Sequence, residues 1–69
     1  MNSLSNIEKF IIFCLELYRT EKKYAQKKAL NDFKKYQVFD FIKTGFDVLH
    51  TQSPHYIYRE IEDFIHHKK

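Results

Sequence analysis

His50 is the side chain whose chemistry the sequence invites first. It stands in Asp47-Val48-Leu49-His50-Thr51-Gln52, where a nearby carboxylate could orient the imidazole as a general base. A base needs a group to activate, and neither a nucleophile nor an oxyanion donor is identifiable close by. Asp47, Thr51, Gln52 and Ser53 are residue types that satisfy loop and helix-end amides, and His50 can tie a buried loop to the backbone. We therefore read Asp47, His50, Thr51 and Gln52 as a structural motif and assign no catalytic residue.

Arg59 and His66 form a second constellation, seven residues apart and so two turns along one helix face. Small helical ribonucleases carry an Arg and a His at this sort of spacing, the Arg to hold a phosphate and the His for acid–base transfer. Two common residue types in a chain that is 30% charged meet at such a spacing by chance. His66 also falls in a terminal turn, where helices fray. The ribonuclease is the lesser alternative, and the chain is read as not an enzyme.

Metal binding requires three or four ligands converging on one point. The soft candidates are Cys14, His50, His55, His66 and His67, and none has a recognised spacing. No metal and no cofactor is expected.

The basic residues are unevenly placed. Residues 19–35 carry seven (Arg19, Lys22, Lys23, Lys27, Lys28, Lys34, Lys35) against Glu21 and Asp32, a local excess above the chain's net +3. Such a face can meet phosphates in a salt-dependent way, or steer an acidic protein. Tyr24, Phe33 and Tyr36 are read as core-facing, which leaves no aromatic platform for unstacked bases.

The elements that carry these residues read as helices. Ser5-Asn6-Ile7-Glu8 fits a capping box, followed by Ile7, Phe10, Ile11, Cys14, Leu15, Leu17 and Tyr18 at helical spacing. Their apolar arc spans roughly 200°, against about 100° for an ordinary surface helix. Ile12 falls outside even that arc, among Glu8, Lys9, Glu16 and Arg19. Residues 19–23 read as a charged connection. Residues 25–36 form a second helix, with Ala25, Ala29, Phe33 and Tyr36 inward, Leu30 at the margin, and Lys27, Lys28, Asn31, Lys34 and Lys35 outward. Val38, Phe39, Phe41 and Ile42 predict a short third helix ended at Gly45 by a left-handed cap, with Phe46 to His50 as a turn or one helical loop. Ser53 and Pro54 open the last helix. Its stripe is Ile57, Tyr58, Ile61, Phe64 and Ile65, and its basic end suits the helix dipole.

The fold class is all-α, a small bundle of four to five short helices forming one domain over residues 1–69, with the first helix as its spine. So short a chain needs unusually good packing or a partner, and a lone cysteine closes no intrachain disulfide. A single thiol in an apolar run fits a reducing, cytoplasmic setting. The apolar stretch at residues 10–15 is too short for a signal peptide or a membrane span. Seven Phe and five Tyr supply large buried areas per residue.

Four phrases of the chain carry a family resemblance. They are Phe13-Cys14-Leu15-Glu16-Leu17-Tyr18, Phe33-Lys34-Lys35-Tyr36-Gln37-Val38-Phe39-Asp40-Phe41-Ile42, Phe46-Asp47-Val48-Leu49-His50-Thr51-Gln52-Ser53 and Ile61-Glu62-Asp63-Phe64-Ile65. In this order, across residues 7–65, they resemble the bacterial family called domain of unknown function 3791, with Asp47 to Gln52 the most specific stretch. The resemblance implies a small helical protein of bacterial cytoplasm and mobile elements. It also implies a frequent neighbour resembling an ADP-ribosyltransferase, in the arrangement of a toxin and its antidote. It carries across no catalytic residues. Where the family has Gly or Ser before the second helix, this chain has Tyr24-Ala25.

These readings converge on a protein-binding module, an antitoxin-like neutraliser of an adjacently encoded toxin. Ile12 and Phe13 are expected to contact the partner, with Lys27, Lys28, Lys34 and Lys35 steering. A homodimer through the first helix is compatible with this, and a nucleic-acid-binding accessory protein is the main alternative.

Overall fold

The computed structural model describes residues 4–69, and those residues are all-helical, with four helices and no strand among them. α1 runs Asn6–Lys22, α2 Gln26–Lys35, α3 Val38–Leu49 and α4 Pro54–Lys68. α1 packs against each of the other three helices, as α3 also does.

α1 begins where the capping box places it. Ser5 Oγ accepts from the Glu8 amide at 3.1 Å, and Glu8 Oε1 accepts from the Ser5 amide at 2.8 Å. Its end corrects the reading of residues 19–23 as a connection: all but Lys23 are helical. Lys23 takes the left-handed conformation, its amide bonding Thr20 O at 3.2 Å while the Tyr24 amide reaches Arg19 O at 3.0 Å. This is a Schellman stop built without glycine. The basic end suits the helix dipole, and Lys22 is anchored to Glu62 of α4 at 2.5 Å.

α2 starts at Ala25, which offers no side-chain cap. A second left-handed residue, Gln37, separates α2 from α3. α3 then overturns the expected break at Gly45, because the helix passes straight through it, and Phe46 to Leu49 are helical rather than a loop. A mid-helix glycine costs about 1 kcal/mol, but burying a leucine side chain returns roughly 1.5–3 kcal/mol. Continuing the helix carries Leu49 to 4% exposure and sets Phe46 against Phe10. α4 starts as expected, with Ser53 Oγ accepting from the Tyr56 amide at 3.3 Å and Pro54 in the first turn.

One cluster draws on all four helices: Cys14 and Tyr18, Ala29 and Phe33, Val38 and Ile42, and Ile57, Ile61 and Ile65. Phe33 meets Tyr18 within it, ring centres 5.4 Å apart, and the partly buried rings packed against it include Phe39, edge-on to Phe33 at 5.5 Å, and Phe41, stacked on Phe64 at 4.3 Å. No helix among the described residues is long and apolar enough to cross a membrane.

Candidate functional site

α1 has more apolar side chains than its neighbours cover. Cys14 and Tyr18 are fully buried, and Phe10, Ile11, Leu15 and Leu17 are partly covered. Ile12 is 49% exposed and Phe13 43%. Consecutive residues project about 100° apart on a helix, so these two flank the solvent face, and they belong to different surroundings.

Phe13 joins an aromatic row that crosses from α1 to α3. Its ring stacks with Phe10 at 6.1 Å, Phe10 meets Phe46 edge-on at 5.5 Å, and Phe46 lies flat on the His50 imidazole at 4.5 Å. Asn6, Lys9, Phe10, Phe46 and His50 line a groove of about 400 Å³ between the first half of α1 and the last half of α3. Phe10 and Phe46 are site residues that no motif in the sequence marks. The i,i+3 pair Phe10–Phe13 and the i,i+4 pair Phe46–His50 were the available signals.

The 47–52 motif ends α3. His50 Nδ1 lies 2.7 Å from Phe46 O and donates to it, since a carbonyl only accepts, and Thr51 Oγ1 donates to Val48 O at 2.8 Å. Gln52 Nε2 reaches Thr51 Oγ1 at 3.4 Å. Asp47, His50, Thr51 and Gln52 are exposed, which corrects the expectation of a buried loop, and Leu49 alone of the segment is buried. Through these bonds His50 and Thr51 cap carbonyls at the end of α3.

Lys27, Lys28, Lys34 and Lys35 all lie on the exposed side of α2, though two are engaged. Lys28 Nζ pairs with Asp32 Oδ1 at 3.0 Å and sits over the Tyr24 ring, and Lys35 sits over Tyr36. Lys27 and Lys34 have no carboxylate within ion-pair distance among the described residues. Asp32 itself is buried, accepting from Tyr18 Oη at 2.7 Å. The sequence reading placed Asp32 only as an acid within the basic stretch. Its position three residues after Ala29 and four before Tyr36 puts it on the inward side. Burial alone would push its carboxyl up, but the bonds from Tyr18 and Lys28 outweigh burial and hold it below the ordinary carboxylate value.

Arg59 and His66 are both exposed on α4. Arg59 lines a depression with Ser53, His55, Tyr56, Glu60 and Asp63, and His66 is not part of that lining. Cys14 is buried, and burial pushes its thiol up to about 12, far from a reactive thiolate. Among the described residues no group of three His, Cys, Asp or Glu could hold a metal ion.

A family model described as "Protein of unknown function (DUF3791)" matches residues 9–68. No curated protein and no solved structure matches the chain.

Proposed function

The chain belongs to the DUF3791 family, and on that premise we propose that it is a small protein-binding module of the bacterial cytoplasm, acting as the neutralising partner of an adjacently encoded toxin. The observation that carries the reading is the exposure of Ile12 and Phe13 on the central helix. A chain of 69 residues has few large apolar side chains to leave in water, and Phe13 continues a row with Phe10 and Phe46, the kind of exposed apolar patch that marks interaction sites. The toxin as partner comes from the gene arrangement that the resemblance implies. Lys27, Lys34 and Lys35 would steer an acidic partner, with Lys28 contributing less because Asp32 already holds it.

Co-expression with the adjacently encoded protein, followed by size-exclusion chromatography, tests this. The two chains should comigrate, and the toxicity of the neighbour should fall. The double variant Ile12→Gln, Phe13→Gln should lose comigration while its melting temperature stays within a few degrees, because exposed positions shift stability by only about 0.5 kcal/mol. A protein that stays monomeric beside its neighbour overturns the reading.

The unpaired lysines of α2 support the second reading, a nucleic-acid accessory protein. Tyr24 and Tyr36 are half-buried beneath Lys28 and Lys35, so contact would be through phosphates alone. A gel shift that fades steeply with salt and weakens in Lys27→Ala, Lys34→Ala would favour it.

A further inference from the structure

We propose that the groove between α1 and α3 receives an acidic amphipathic helix of the protein partner. An apolar side chain of that helix would seat on Phe10 and Phe46, and a carboxylate beside it would face Lys9. The inference rests on the protein-binding reading and specifies the chemistry the partner presents.

The groove has an apolar floor and a cationic rim. Phe10 and Phe46 meet edge to face, and His50 extends the floor by stacking on Phe46. At about 400 Å³ the space falls within the range of small binding clefts. Among the described residues that line it, Lys9 alone carries a fixed charge, and none is a carboxylate. Lys9 has no ion-pair partner among the described residues. The amino end of α1, the positive end of its dipole, opens at Asn6 on the same rim. The nearest acid along the helix, Glu8, is turned back to the Ser5 amide in the capping box. Charge complementarity therefore selects an anionic group beside the apolar anchor. A trough between two helices takes a third helix through anchors at i, i+3 and i+4. A second copy of this chain fits less well, since it carries net +3 and would bring like charges together.

The probe is a short designed helical peptide with a Leu/Phe stripe flanked by Glu, titrated into ¹⁵N-labelled protein. A twin with Lys for every Glu and a twin with Ala for every apolar anchor accompany it. The acidic peptide should move the amide signals of Asn6, Lys9, Phe10, Phe46 and His50. The Lys twin should bind about tenfold more weakly, as an attraction is replaced by a repulsion, and the Ala twin should not bind. Lys9→Glu, a change at an exposed position, should reverse the preference between the charged peptides, and Phe46→Leu should weaken both equally. Shifts centred elsewhere, or equal affinity for the charged twins, overturn the proposal, as does a dimer whose dilution shifts map to Phe10 and Phe46. Failure of the peptides with successful comigration of the neighbour discards the groove chemistry alone. Failure of comigration with selective peptide seating discards the toxin assignment alone.

Discussion

Asp32 is charged and buried because two donors from different places meet its two oxygens, Tyr18 Oη from α1 and Lys28 Nζ from one turn back. Removing the carboxylate leaves the Tyr18 hydroxyl buried without an acceptor, and an unsatisfied buried group costs about 1–3 kcal/mol. Asp32→Ala should therefore lower stability by about 2–3 kcal/mol in denaturant melts, and Asp32→Asn, which keeps an acceptor, by less. The pH dependence has a definite sign. The folded carboxyl lies below its ordinary value, so its contribution is fully present above about pH 4, the unfolded-state range. It is lost as pH falls through the lower folded value. The melting temperature of the wild type should thus drop more steeply below pH 4 than that of Asp32→Asn. The partnership of Asp32 was not legible in the sequence, because a bond spanning fourteen residues depends on how α1 and α2 cross.

At the scale of elements, starts were easier to read than stops. Ser5 with Glu8, and Ser53 with Pro54, are local signals, since each cap bond spans three residues, and both helices begin where they indicate. The stop of α2 falls at residue 36 as read, but those of α1 and α3 were misplaced, because α1 runs on to a left-handed Lys23 and α3 keeps its glycine inside. A left-handed residue with a side chain costs roughly 1–2 kcal/mol, so sequence logic favoured Gly45, and only tertiary packing of Leu49 and Phe46 reverses that preference. Neither α2 nor α3 has a side chain at its start that accepts from the first-turn amides, since Ala25 and Gln37 cap neither helix. Ala25 already has the extended backbone of a cap residue, so Ala25→Asp should stabilise the fold by about 0.5–2 kcal/mol. Urea denaturation would show this as a higher midpoint with an unchanged slope; an unchanged midpoint would mean that the α2 amides are already satisfied.

Over the whole molecule, a radius of gyration of 11.5 Å is close to the roughly 11 Å expected of a packed chain this long. The helices are thus drawn in around their shared core, and the exposed Ile12 and Phe13 are not a product of splaying. The exposure of Ile12 was legible in the sequence, because it falls among Glu8, Lys9, Glu16 and Arg19, outside the apolar arc of α1. The groove was not, since Phe46 and His50 reach Phe10 only through the uninterrupted run of α3. The same enclosure gives Cys14, at 0% exposure in the middle of α1, the role of an internal stopwatch. An alkylating reagent can reach the sulfur only when the central helix is released, so labelling times the breathing of the whole fold. A stability of the order usual for small domains, about 0.05–0.15 kcal/mol per residue, should slow alkylation by roughly a hundredfold or more relative to the chain in denaturant. A partner that clamps α1 would slow the clock further, registering its arrival without any label on the binding surface.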